Sequence, residues 1–391
     1  MQLYEHQQKF LNDNPDRAML AWDTGLGKTF TCVLWLKKRI GKKLVICPKI
    51  IKKEWQEKIA ESNVDADVLT KEEIKKYDIS KYDVLIVDEA LFFASPLFGK
   101  GRSQMATVLY NHIRKKPGTN VLLATATPVS STPWNAHSLL TYIDHFIPVK
   151  QFRDLYFSLE APPYMKGRYI SVPKKNWRVE IRDLLYQQRN IYIASLADFV
   201  KDMPEEFHEE IKVKLSKDTE QSMKALESDI EIETDMKLFV EQHKKETGKE
   251  KIKQIRIIAQ GFKKVILVAK YKDTIAMLEK ELSKDREVFV VTGETKDQDF
   301  VVRQANNSFE CYMIIQSQIA AGFELPLFPA TIFVQQGYKY SDFVQMKGRN
   351  RRVNSLHDNY YYYLIAGKRD KQVHKTLMAG LDLDFNKIKY E

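Results

Sequence analysis

The run Asp23-Thr24-Gly25-Leu26-Gly27-Lys28-Thr29 lies between a short apolar stretch and a segment of helical period beginning Phe30-Thr31-Cys32. Two glycines let backbone amides turn onto phosphate oxygens, Lys28 can neutralise β- and γ-phosphates, and the Thr29 hydroxyl can hold Mg²⁺. All of this sits at a helix N-terminus, whose dipole favours anions. These residue types in this order read as a phosphate loop, with Thr24, Gly25, Leu26, Gly27, Lys28 and Thr29 as nucleotide contacts. Trp22 stands where the stricter pattern has its first glycine. The alternative, a plain glycine turn before a helix, is opposed by the placement between strand and helix.

Fifty-nine residues beyond Thr29, the apolar run Val84-Leu85-Ile86-Val87 delivers Asp88-Glu89. An Asp there can bind Mg²⁺ through its water shell, beside Thr29, and the adjacent Glu can orient or deprotonate an attacking water. A third element, Gln345-Met346-Lys347-Gly348-Arg349-Asn350-Arg351-Arg352, spaces Arg349 and Arg352 three apart. On a helical turn two such guanidinium groups point the same way and can stabilise charge on a transferring γ-phosphoryl. A basic run by itself is usually a solvated face. With the phosphate loop it suggests ATP held in a cleft between two domains.

The elements that must position these groups follow βαβ grammar. Strand-like runs occur at Ala18–Ala21, Lys43–Cys47, Val84–Val87 and Asn120–Ala124, and again at Val265–Val268, Val288–Val291, Tyr312–Ile315, Thr331–Val334 and Tyr360–Ile365. The expected organisation is an α/β domain over 1–150, an inserted segment and helical interdomain link over 151–260, and a second α/β domain over 261–391. The middle region contains Pro162-Pro163 and Gly167. Its basic stretch, Lys166, Arg168, Lys174, Lys175 and Arg178, is mixed with Tyr169 and Trp177.

The length of 391 residues suits two or three globular units, and 44% hydrophobic with 29% charged residues excludes a disordered linker or tail. The net charge of +10 favours a polyanionic partner, nucleic acid first. Cys32, Cys47 and Cys311 form no CxxC pair, so they read as small buried hydrophobes and not as a disulfide or zinc framework. No apolar run is long enough to span a membrane, and no signal region opens the chain, so a cytoplasmic protein of a bacterial cell or infected host is expected.

Taken in order, these segments resemble the superfamily 2 helicases, specifically the Swi/Snf-like DNA translocase branch in a compact phage-type form, over nearly the whole length. Leu3-Tyr4-Glu5-His6-Gln7 resembles the adenine-reading motif, with Gln7 as the base contact. Thr24 to Thr29 matches motif I, and Pro48-Lys49 with Glu54-Trp55 resembles motif Ia. Asp88-Glu89-Ala90-Leu91 takes the place of motif II and Ala124-Thr125-Ala126-Thr127-Pro128 that of motif III. In the second half, Val265–Ala269, Gln316–Leu325 and Gln345–Arg352 resemble motifs IV, V and VI. Leu91 stands where the family usually has a hydrogen-bonding residue, and Glu324 where Asn is common, with Gly322 retained. Asp202-Met203-Pro204 leading into Glu210–Leu215 resembles the branch's link between domains.

The resemblance implies two RecA-like parallel-sheet domains in tandem and an ATP- and Mg²⁺-dependent DNA helicase or translocase. It implies backbone contacts to duplex, forked or branched DNA without sequence specificity. Lys49 and Thr127 on the first domain, and Thr292 and Gly293 with the motif V loop on the second, are the DNA candidates it implies. Turn or capping chemistry is the alternative at each. Lys174 and Lys175 belong to the basic stretch, which is an exposed hairpin or a surface for a branch point. An RNA-stimulated ATPase and a non-hydrolysing ATP-switched scaffold are the alternative functions. A monomer with no membrane association is expected, and the compactness points to viral or mobile-element replication or recombination.

Overall fold

The computed structural model describes residues 3–97, 103–129, 132–160, 169–195, 198, 204–227, 235–246, 249–319, 324–351, 355, 357–381 and 383. The chain divides into two units, Met1–Lys201 and Asp202–Glu391.

In the first unit the order is α1 (Glu5–Asp13), β1 (Arg17–Trp22), α2 (Lys28–Lys37), β2 (Lys43–Cys47), α3 (Lys52–Glu61), β3 (Asp67–Thr70), β4 (Val84–Asp88), α4 (Gln104–Lys115), β5 (Asn120–Thr125), α5 (Pro133–Tyr142), α6 (Val149–Tyr156), β6 (Phe157–Glu160), β7 (Ile170–Pro173), α7 (Trp177–Tyr186) and β8 (Ile191–Ala194). Six strands form one sheet in the order β3-β2-β4-β5-β1-β8, every pairing parallel. β1, β4 and β5 are apolar on both faces and buried, as strands covered by helices on both sides must be. Arg17 pins the lower end of β1 by donating from Nε to the Thr119 carbonyl at 2.9 Å and by pairing with Asp144. β6 and β7 form a separate antiparallel hairpin.

The second unit runs β9 (Glu206–Lys212), α8 (Lys217–Glu227), α9 (Asp235–Lys245), α10 (Lys249–Ala259), β10 (Lys264–Ala269), α11 (Lys272–Leu282), β11 (Glu287–Val291), α12 (Gln298–Asn307), β12 (Cys311–Gln316), β13 (Ala330–Phe333), α13 (Tyr340–Lys347), β14 (Asn359–Ile365) and α14 (Lys368–Met378). Its sheet is also six-stranded and parallel, in the order β11-β12-β10-β13-β14-β9. The fold is therefore α/β, two RecA-like parallel-sheet units in tandem. Tyr361 and Tyr363 alternate into the core of β14, while Tyr360 stacks on Phe207 of β9 with ring centroids 5.0 Å apart.

The expected boundaries at 150 and 260 shift. Residues 151–260 are not one insertion: β8 extends the first sheet by pairing with β1, and β9 extends the second by pairing with β14. Both are edge strands, and each takes its backbone hydrogen bonds from a strand far away in sequence. Lys166, Arg168, Pro162-Pro163, Gly167, Asp202 and Met203 lie outside the described residues. All three cysteines are buried thiols.

One buried polar network fastens the second unit. Lys251 of α10, 0% exposed, donates to the Val334 carbonyl at 2.6 Å and pairs with Asp370 of α14. His243 of α9 bridges Asp370 through Nε2 and the Tyr338 hydroxyl through Nδ1, each at 3.0 Å. Burial holds that imidazole below its ordinary pKa, and the neutral ring donating from Nε2 and accepting at Nδ1 satisfies both partners. Glu246 accepts the Arg369 and Asp370 amides at 3.0 and 2.6 Å, which caps the N-terminus of α14. Burial and the Asp370 charge push its carboxyl up to about 7. That group's contribution to stability is therefore complete below its ordinary range and fades as pH rises through about 7.

Removing one member of such a buried pair leaves a charge unpaired. Asp370→Ala should cost about 3–5 kcal/mol, read by urea unfolding of the full chain. Asp370→Leu combined with Lys251→Met should recover most of that loss. Equal stability of Asp370→Ala and the native chain would show that the pair contributes nothing.

Candidate functional site

Because every strand of the first sheet is parallel, the segments after β1, β2, β4 and β5 all emerge at one carboxyl edge. Those segments hold the phosphate-loop residues, Lys49, Asp88-Glu89 and Thr127. The sequence-predicted residues of the first unit are thus brought together, except Gln7, which reaches the loop from α1, and Lys174 and Lys175, which follow the β6–β7 hairpin.

The loop turns through two left-handed glycines, Gly25 at φ 90° and Gly27 at φ 72°, the latter capping α2. Successive backbone N–H groups in such a turn form a concave anion receptor at the helix N-terminus. Thr24 and Thr29 flank it, Thr29 in the first turn of α2, and Leu26 is buried. Lys28 donates to the carbonyls of Trp22 and Asp23 at 2.8 and 2.9 Å, so its ammonium sits at the mouth of the loop.

The loop is bolted from behind by α1. Gln7 is 2% exposed, donates from Nε2 to the Leu26 carbonyl at 3.3 Å and accepts the Tyr4 amide at 3.0 Å. Both ends of its carboxamide are thus engaged within the protein. His6 Nε2 also meets the Leu26 carbonyl at 3.1 Å, and its ring packs edge-on against Trp22, centroids 4.6 Å apart. Burial lowers the His6 pKa, outweighing the carbonyl contact, so the neutral ring donates there. Residue type and spacing alone do not reveal this role of His6. Trp22, at the first-glycine position, is 1% exposed and serves as the hydrophobic floor.

Two strands away, Asp88 ends β4 at 7% exposure. Its Oδ1 accepts the Glu89 amide at 2.9 Å and its Oδ2 accepts the indole N–H of Trp55, on α3, at 2.8 Å. Burial pushes the Asp88 carboxyl up, although Trp55, the Lys28 charge and the Glu89 amide all pull it down. A buried carboxylate whose charge is still undercompensated suits a cation. Among the described residues no group of three or more His, Cys, Asp or Glu side chains gathers to hold a metal. The available donors are one carboxylate and the Thr29 hydroxyl, all oxygen, which fits Mg²⁺ completed by water and phosphate. Glu89 sits in the left-handed region at φ 50°, a conformation costly for a residue with a Cβ and held only where its surroundings demand it. Leu91 packs against the apolar core.

Lys49 is exposed in the helical turn Lys49–Ile51 that leads into α3. Thr127 donates its amide to the Thr125 hydroxyl at 3.2 Å, and its own Oγ1 is buried with no protein partner. In the second unit Thr292 and Gly293 follow β11. Thr292 closes a turn with the Thr295 hydroxyl at 3.0 Å, and the Gly293 amide donates to Gln316 at 3.2 Å. Lys174 reaches the Asp154 carbonyl at 2.9 Å, and Lys175 is exposed beside it.

The arginine segment differs from expectation. Helix α13 stops at Lys347 with Gly348 as its cap, so Arg349 lies beyond the helix; Arg352 and Gly322 lie outside the described residues. Long-range bonds impose the break. The Leu325 amide donates to the Arg349 carbonyl at 2.8 Å, and Asn350, fully buried, binds the Phe328 carbonyl at 3.0 Å and the Tyr361 hydroxyl at 3.2 Å. Arg349 is 5% exposed. Arg351 instead pairs with Glu206 at 2.7 Å, which Lys347 also meets at 2.9 Å. Burial raises that carboxyl, but the two cations outweigh it and hold it below its ordinary range.

No family model matches the chain, and no curated protein matches it. Among solved structures it is similar to a Sulfolobus solfataricus SWI2/SNF2 ATPase core in complex with dsDNA, at 16% identity and a TM-score of 0.42, over 97% of this chain and 91% of that one. A likeness at this level carries no chemistry, which rests on the side chains. Among the described residues no helix is long and apolar enough to cross a membrane.

A Cβ added at Gly27 would stand 2.4 Å from Gln7 Nε2 at a φ of +72°. Gly27→Ala should therefore lower stability by about 1–2 kcal/mol and weaken nucleotide diphosphate binding about tenfold, measured by thermal unfolding and calorimetric titration with ADP. Unaltered ADP affinity would remove the loop from the binding site.

Proposed function

We propose that the chain is an ATP-dependent DNA translocase or helicase of the superfamily 2, Swi/Snf-like type, turning over ATP with Mg²⁺ and gripping duplex or branched DNA through its phosphates. The observation that carries this reading is the meeting of a glycine-built anion receptor, a lysine at its mouth and the buried Asp88 with the half-buried Glu89 beside it on one sheet edge. A protein that only bound nucleotide would need no water-activating carboxylate beside the metal-binding one.

In this reading the loop amides take the phosphate oxygens, and Lys28 exchanges the Trp22 and Asp23 carbonyls for β- and γ-phosphate. Thr29 and Asp88 would hold Mg²⁺, whose charge neutralises the phosphates and orients them for in-line attack. Glu89, presented by its left-handed backbone, orients the attacking water and takes its proton. Gln7 would read the adenine base after giving up one of its present partners. Arg349 and Arg352 are assigned to the charge developing on the transferred phosphoryl. Lys49, Thr127, Thr292, Gly293, Lys174 and Lys175 are assigned to DNA. A net charge of +10 supports a phosphate-backbone partner, and such contacts carry little base preference and a steep salt dependence.

Steady-state ATP hydrolysis should be measured with single-stranded, duplex, forked and four-way DNA and with RNA, at two salt concentrations. Stimulation by duplex or branched DNA that falls steeply with salt is the expected result. Stronger stimulation by RNA would convert the reading to an RNA-dependent enzyme, and none by any nucleic acid would overturn it. Lys28→Ala should cut turnover by roughly 10²–10³-fold. Glu89→Gln should retain ATP binding and lose about 10²–10⁴-fold in kcat. Arg349→Ala should lower kcat with little change in KM, and an unchanged kcat would remove it from the site.

A further inference from the structure

Trp55 is 1% exposed and lies in the first turns of α3, 33 residues from the carboxylate it binds. A buried indole N–H needs an acceptor, and this one has taken the oxygen of Asp88 that the Glu89 amide leaves open. With a different donor on each oxygen, the carboxylate cannot rotate about its own axis without breaking a buried hydrogen bond.

The other end of the same segment is the exposed Lys49. Between the two there is no flexible break. The Ile51 amide bonds to the Pro48 carbonyl at 3.2 Å, the turn Lys49–Ile51 runs directly into α3, and Pro48 is buried. Lys52 is tied at 2.8 Å to Glu73, whose carboxylate also accepts the Thr70 amide at 2.6 Å. A force on Lys49 is therefore carried as movement of a rigid turn and helix.

We propose that Trp55 is a positioning residue that fixes the Asp88 carboxylate and couples it to the Lys49 turn, so that nucleic acid held at Lys49 and the cation held at Asp88 favour one another. This rests on the proposed ATP-dependent function. Coupling of this kind is reciprocal: whatever factor DNA adds to cation affinity, the cation adds to DNA affinity.

The test uses the full chain with its five tryptophans labelled at the indole nitrogen. The Trp55 resonance is assigned by its absence in Trp55→Phe, a change that keeps a ring in the core and removes only the donor and some volume. Mg²⁺ with ADP should shift the Trp55 resonance and leave that of Trp35, bonded to the Pro15 carbonyl at 3.0 Å, in place. A duplex oligonucleotide should shift it too, and this second shift should vanish in Lys49→Ala. In DNA-stimulated hydrolysis, Trp55→Phe should raise the half-saturating Mg²⁺ concentration about tenfold, with KM for ATP at saturating Mg²⁺ little changed. A Trp55 resonance that ignores Mg²⁺-ADP or duplex overturns the proposal, as does a folded Trp55→Phe protein with native Mg²⁺ dependence. If Trp55→Phe does not fold, the resonance is assigned by its shift in Asp88→Asn and the titrations decide alone. A native chain that hydrolyses no ATP with any nucleic acid refutes the function, while the resonance titrations still report on the Trp55–Asp88 link.

Discussion

Parallel pairing is the constraint from which the rest follows. A parallel strand must be followed by a crossover over one face of the sheet before the next can pair, so helices cover both faces and every carboxyl end faces the same edge. In the first unit the order β3-β2-β4-β5-β1-β8 places one strand, β5, between the strand feeding the phosphate loop and the strand ending in Asp88. Two inter-strand spacings amount to about 10 Å. That distance admits phosphate oxygens and a hydrated cation between loop and carboxylate, and a lysine side chain reaches across much of it. Lys28 accordingly contributes to the electrostatics of Asp88 while its ammonium still bonds the loop carbonyls. A direct β1–β4 pairing would halve the gap.

What was legible in the amino-acid sequence was local. The glycine loop, the Asp88-Glu89 terminus and the apolar strands each declare themselves within ten residues, because strands buried on both faces must be apolar throughout. What was not legible depends on partners far along the chain. β9, Glu206–Lys212, is polar at most positions and is a strand only because β14 offers an open edge. The break after Lys347 is set by hydrogen bonds that the Arg349 carbonyl accepts from the Leu325 amide and that the Asn350 carboxamide donates to the Phe328 carbonyl and accepts from the Tyr361 hydroxyl. Trp55 carried an apolar ring in the sequence, and only the fold shows which acceptor its N–H finds. His6 likewise stood in the segment that resembles the adenine-reading motif with no role of its own, whereas its ring holds the back of the loop.

The two units treat buried charge in opposite ways, and the contrast separates fastening from chemistry. In the second unit Lys251, Asp370, His243 and Glu246 satisfy one another and two helix-terminal amides. Such a closed network gains little net stability over apolar packing but is expensive to break. It holds α9, α10 and α14 in one arrangement. In the first unit Asp88 has two donors and a nearby ammonium, and burial still outweighs them. Folding tolerates that deficit because β4 is fixed on both sides by parallel neighbours. An undercompensated carboxylate with both oxygens oriented is a poor fastener and a good cation ligand. The favourable interaction missing from the folded chain is then supplied on binding, and the same free energy that the fold forgoes becomes differential affinity for the bound state. That is the physical requirement for a site whose occupancy is to drive a change elsewhere in the molecule.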